Sequence, residues 1–136
     1  MVMKVGAQKN INSTNLSESK LQADVVSWCR IHAMTDHRLK NLYSIPNGAV
    51  IGGKNRFALI NKLKAEGLEP GVADLCLAWP CGPYHGLYIE MKRMGEKQSP
   101  KQIQWQKQLT EAGYLYCLCF SNVDAINQIK NYLALI

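Results

Sequence analysis

Pro70-Gly-Val-Ala-Asp-Leu-Cys-Leu-Ala-Trp79 and Gly86-Leu-Tyr-Ile-Glu-Met-Lys-Arg93 are two apolar runs, each carrying ionisable groups in its interior. Both read as buried β-strands. The turn-rich stretch between them, residues 80–85, is short enough to join them as an antiparallel hairpin. Side chains alternate along a strand, so Glu90 and Lys92 lie on one face, roughly 7 Å apart. Asp74 stands on the neighbouring strand. Two carboxylates beside an ammonium form a hard-cation site with an adjacent cationic side chain, the arrangement needed for metal-assisted attack of water on a phosphodiester.

Outward from the hairpin, the pattern alternates between helix and strand. A helix is predicted from about residue 15 to before Asp36, with Asn15 and Glu18 at capping-box spacing and Leu21, Val25 and Trp28 as its apolar stripe. Residues 43–46 form a short strand closed by the turn signal Pro46-Asn-Gly48. A second helix spans about residues 54–66, with Phe57, Ile60 and Leu63 facing inward and Gly67 as its stop. Ser99-Pro100 opens a third helix, residues 114–120 form a further strand, and Ser121 caps a last helix with Ile126, Ile129 and Leu133 on its inner face. The expected fold is therefore α/β, a small mixed central sheet flanked by helices. Residues 1–14 lack periodicity and read as a flexible arm, leaving residues 15–136 as one domain.

Polar groups interrupt the apolar stripes elsewhere too. Glu18 and Gln22 share a helix face with Leu21, Val25 and Trp28, and Gln102 precedes Trp105, Leu109 and Ala112 on another. Charged groups are seldom fully buried without a partner, so Glu18, Asp74, Glu90 and Lys92 are expected to meet in one polar pocket. Each also has a plainer account. Glu18 can serve as a cap, Asp74 as a turn residue after Gly71, and Glu90 with Lys92 as the solvated face of an edge strand.

Composition bounds the partners. The 136 residues are 47% hydrophobic and 19% charged, a globular balance, with 16 basic against 10 acidic side chains and a net charge of +6. A basic chain favours a polyanion such as nucleic acid. Lys54 and Arg56, and then Arg93, Lys97 and Lys101, are the candidate phosphate contacts. No apolar run approaches a membrane span, and the polar N-terminus does not resemble a secretion signal, so a cytoplasmic protein is expected. Five cysteines without a CxxC pair argue for buried thiols in a reducing compartment, although Cys76, Cys81 and His85 invite comparison with a zinc site.

In order, Glu18 and Gln22, Ile45-Pro-Asn-Gly48, Gly67, Pro70-Gly-Val-Ala-Asp-Leu75, Gly86-Leu-Tyr-Ile-Glu-Met-Lys-Arg93, Ser99-Pro-Lys-Gln102 with Trp105, and Gly113-Tyr114 resemble the VRR nuclease domains of the PD-(D/E)xK restriction-endonuclease-like superfamily. Two positions depart from that pattern: Ser44 stands where many relatives carry histidine, and Ala73 where proline is usual. The resemblance implies a restriction-endonuclease-like core in which Asp74, Glu90 and the carbonyl of Met91 hold Mg²⁺ or Mn²⁺. Glu18 is implied as an accessory metal-site carboxylate, Lys92 as the catalytic lysine, and Gln102 as an accessory catalytic residue. It further implies a structure-specific DNA endonuclease acting as a homodimer, with the four-way (Holliday) junction as substrate. The alternatives are a repair or restriction-type nuclease on flap or duplex DNA, and a non-catalytic DNA-binding module of the same fold.

Overall fold

The structure is a computed structural model that describes residues 17–46 and 52–136. Helix α1 (Glu18–His32) opens the described chain. A short 3-10 turn (His37–Asn41), not anticipated from sequence, leads into strand β1 (Leu42–Ser44). Helix α2 (Arg56–Ala65), strands β2 (Leu75–Leu77) and β3 (Leu87–Met91), helix α3 (Pro100–Glu111), strand β4 (Leu115–Cys119) and helix α4 (Asn122–Leu133) follow. The strands form one mixed sheet in the order β1-β2-β3-β4. The hairpin is antiparallel as expected, β1 joins it antiparallel, and β4 lies parallel to β3.

The strands are shorter than their apolar runs. β2 keeps three residues and β3 ends at Met91, so Asp74 stands just before one strand and Lys92 just after the other. β3 is an interior strand, which removes the edge-strand account of Glu90 and Lys92.

One face of the sheet carries the main core. Leu75, Leu77, Leu87, Ile89, Met91 and Cys119 pack against Leu21, Val25 and Cys29 of α1 and Ala125, Ile129 and Tyr132 of α4. Each fully buried aliphatic side chain contributes about 1.5–3 kcal/mol, so this layer supplies most of the folding energy. Trp28, expected inside, is only half-buried; it stacks on His32 while Cys29 occupies the interior. The stripe of α4 is likewise rotated from the expected Ile126 and Leu133 to Ala125 and Tyr132 around the shared Ile129. The cause is tertiary. The Tyr132 hydroxyl donates to the Trp79 carbonyl and accepts from the Cys81 N–H, anchoring the helix to the hairpin connection.

The opposite face holds a smaller cluster of Ala73, Leu109 and Tyr116, with Trp105, Tyr88 and Tyr114 around it. Only α3 covers it. The expected inward face of α2 is met only in part: Ile60 and Leu63 are half-buried, no residue of that helix is fully buried, and Phe57 is 71% exposed. The apolar spacing is helical, but among the described residues no element packs closely enough on it to exclude water.

Ser17, rather than Asn15, caps α1, its hydroxyl accepting from the Lys20 N–H, and Glu18 is the first helical residue. Asn15, the proposed arm, and Asn47 and Gly48 of the turn signal lie outside the described residues. Ser99 and Ser121 cap their helices as expected. All five cysteines are free, and among the described residues no helix is long and apolar enough to cross a membrane.

Candidate active site

Strand alternation sets the geometry. Glu90 is 2% exposed and Lys92 8%, the two buried charged residues among those described. The Lys92 ammonium lies 3.9 Å from Glu90 Oε1. Asp74 enters from the start of β2, and its Oδ2 accepts the Met91 N–H at 2.7 Å, tying the two strands at the point where their ladder ends. Asp74 in turn offers its backbone carbonyl to the Ile45 N–H.

Gln102 completes the contacts to Glu90. Its Nε2 donates to Glu90 Oε1 at 3.0 Å, while its Oε1 accepts the Ser99 N–H at 2.8 Å. The second bond belongs to the capping box that starts α3, so one side chain both caps the helix and holds the carboxylate. Gly71 makes this approach possible. It has φ +94°, and a Cβ there would stand 2.8 Å from the Lys101 Cβ. Only glycine satisfies both requirements cheaply.

Burial opposes ionisation throughout the pocket. It pushes Glu90 up to about 8, reinforced by the charge of Asp74 and relieved in part by Lys92. Burial also raises Asp74, offset by the Met91 N–H. Burial and a hydrogen bond with Glu96 push Glu18 up to about 7, and the Glu18 partnership holds Glu96 below its usual range.

The same pocket tests the expected metal. Glu90 Oε2 is buried without any hydrogen-bond partner. An orphaned buried carboxylate oxygen is costly unless a proton or a cation meets it. Hard oxygen donors suit Mg²⁺ or Mn²⁺, which complete their shells with water. The donor chemistry of Asp74 and Glu90 therefore fits such an ion. Among the described residues no three His, Cys, Asp or Glu side chains converge to enclose an ion by themselves. This holds for Cys76, Cys81 and His85, and it leaves backbone, water and substrate oxygens to complete any shell at Asp74 and Glu90.

Glu18, Gln22 and Asp74 line one cleft of about 1070 Å³ between α1, α2, α3 and the sheet. Met91, buried, places its backbone beside Asp74. Arg93, Lys97 and Lys101 are exposed along the segment leading from β3 into α3, whereas Lys54 and Arg56 are exposed at the start of α2. Arg56 lies over the Phe57 ring at 4.9 Å, and Arg93 faces Glu96. Sequence reasoning quoted Ser99 and Gly71 within the matching segments without assigning them a role at the site, and it missed Glu96 as a neighbour. The capping box was the one signal available for Ser99, while the role of Gly71 depends on a contact 30 residues away in the chain.

A family model described as VRR-NUC domain matches residues 4–122. A solved structure described as a VRR_NUC domain protein has 24% sequence identity to this chain and a TM-score of 0.74, covering 88% of this chain and 90% of its own. It shares the fold. No curated protein matches the chain.

Proposed function

The chain belongs to the VRR-NUC domain family, a nuclease-type DNA-processing domain, and on that premise we propose that it is a metal-dependent endonuclease hydrolysing DNA phosphodiesters at Asp74, Glu90 and Lys92. The observation that carries the reading is Glu90: buried, held on one oxygen by Gln102, with no protein N–H or O–H donor on the other and the Asp74 carboxyl beside it. Two buried carboxyls side by side are satisfied by sharing a proton or a cation, and a divalent ion supplies the second.

Asp74, Glu90 and the Met91 carbonyl would hold Mg²⁺ or Mn²⁺, with Glu18 contributing negative charge at the edge of the pocket. The ion when bound supplies Lewis acidity to the phosphoryl group and to water. Lys92 orients the attacking water and offsets charge developing on the phosphoryl oxygens, a task for which its burial strengthens the field. Gln102 keeps Glu90 in one orientation. Arg93, Lys97, Lys101, Lys54 and Arg56 supply sequence-independent phosphate contacts. The substrate we assign is branched DNA, with the four-way junction foremost, cut by a homodimer whose two-fold symmetry would place one site on each of two strands.

The test is Mg²⁺-dependent cleavage of a labelled four-way junction beside a linear duplex of the same arm sequence. Wild type is expected to make paired symmetric nicks on the junction and none in EDTA. Glu90→Ala and Lys92→Ala should each lose roughly 10²–10³ in rate, the usual cost of removing one transition-state contact, while still binding DNA. Full activity in either variant removes these residues from catalysis. Equal cutting of duplex leaves a nuclease of broader specificity, and binding without cutting by the wild type favours a non-catalytic module.

A further inference from the structure

We infer that the cleft beside the carboxylates is a binding site for an unstacked nucleobase, presented next to the reacting phosphate by an unpaired nucleotide or by a base pair opened at the branch point. The choice of ligand rests on the nuclease reading above.

Strand register makes the first argument. Tyr43, Cys76, Tyr88 and Tyr116 stand directly opposite one another across all four strands. They form one row on the face that α3 only partly covers. Asp74 is two residues from Cys76, and Glu90 is two from Tyr88, so the carboxylates occupy the next row of the same face, roughly 7 Å away. A phosphate held at the carboxylates has its own sugar and base within reach of the tyrosine row.

Exposure makes the second. Tyr43 is 51% exposed on the edge strand, and it lines the cleft together with Tyr88 and Trp105. Among the described residues, neither Tyr43 nor Trp105 pairs with another aromatic ring, although Tyr88 is braced edge-on by Tyr114. Leu63 and Leu68 complete an apolar wall, and Asp74 lines the same cleft. Open rings along an apolar wall offer a base a flat face to stack on; the charged side chains lining the cleft are the acids Glu18, Glu66, Glu69 and Asp74, which suit an uncharged base and leave the anionic backbone to the basic residues outside it. A volume of about 1070 Å³ accommodates the base.

The physical consequence is structural selectivity. Bases inside a duplex are stacked on both faces and enter such a cleft only if extruded, at an energetic cost. Flaps, loops and branch points present a free face. Because every base has a π-face, stacking discriminates paired from unpaired DNA with little regard to sequence.

The test is a fluorescence titration in EDTA, where no strand is cut, of an oligonucleotide carrying 2-aminopurine, either single-stranded or paired in a duplex. The single strand is expected to be quenched on binding, as its base stacks on the rings. Tyr43→Ala and Trp105→Leu should each weaken single-strand binding by at least about tenfold, the usual contribution of one stacking ring, with duplex binding changed less than about twofold. Tyr43 is exposed at an edge, so its variant keeps the test valid should the half-buried Trp105 prove necessary for folding. Unchanged single-strand affinity in Tyr43→Ala, or equal losses on both DNAs, overturns the inference. Binding is read without cleavage. A protein that quenches as expected yet cuts nothing in Mg²⁺ keeps the base site and loses the nuclease reading, and the converse result separates them the other way.

Discussion

The two faces of the sheet are built from the same strands and have opposite physics. One is closed: Leu75, Leu77, Leu87, Ile89 and Met91 meet two helices, and nothing polar interrupts them. The other, among the described residues, is half-covered by α3, carries Asp74, Glu90, Tyr88 and Tyr116, and opens into a cleft. In β3 the two environments alternate residue by residue, so Ile89 and Met91 are core while Glu90 between them is a buried acid. A strand can thus hold costly charge rigidly because its other face is anchored by apolar burial.

That division predicts separable effects. The largest belongs to the closed face. Leu77→Ala should cost about 2–5 kcal/mol of stability, the range for a fully buried leucine, read as a lower midpoint in urea with the activity per folded molecule unchanged. A loss of activity exceeding the loss of folded protein would show that the two faces are not independent. On the open face, Glu90→Gln should raise metal-free stability at neutral to alkaline pH, because it removes a buried charge, while removing metal-induced thermal stabilisation.

Gly71→Ala probes the seam between the faces and the helix above. Its left-handed backbone and the Lys101 contact should cost about 1–3 kcal/mol in strain. Since Gln102 lies on the displaced turn, cleavage should fall more than stability alone explains. Comparing kcat at matched folded fraction checks this.

A pH-dependent effect follows from titration. Glu90 is raised to about 8 by burial, above its ordinary 4.5. The folded metal-free protein therefore binds more protons than the unfolded chain between these values. The corresponding stability is fully present below about 4.5 and is lost as pH rises towards 8, so the melting temperature without metal should fall across that window. Stabilisation by Mg²⁺ or Mn²⁺ should grow over the same window, as the carboxylate loses its proton. A flat profile in the wild type, or the same slope in Glu90→Gln, would break the link to Glu90.

The smallest is the cap. Ser99→Ala should cost about 1 kcal/mol through loss of the helix N-cap. The backbone N–H of residue 99 still holds Gln102, so the rate should decline only modestly. A collapse in rate comparable to Glu90→Ala would make the serine hydroxyl itself part of the positioning of Glu90.

The sheet and its helices were legible because apolar spacing reports local geometry: the hairpin, the capping serines and the Glu90–Lys92 pair all follow from neighbours in sequence. The limits are equally specific. Phe57 and Leu63 have the spacing of a buried stripe, yet burial needs a partner that the pattern of α2 alone cannot name. Ile126 and Leu133 are as apolar as the residues that replaced them inside, and the hydroxyl of Tyr132 turned the helix by bonding to a distant connection.

By itself, then, the sequence determined the element order, the antiparallel hairpin and the set of polar residues placed on apolar faces, since alternation and helical periodicity are local rules. The tertiary structure alone decided which face of the sheet stayed open, that β3 is interior, that Gly71 must admit α3, and that one oxygen of Glu90 is left without a partner. Those depend on contacts between segments far apart in the chain, where packing and desolvation, rather than spacing, set the energy.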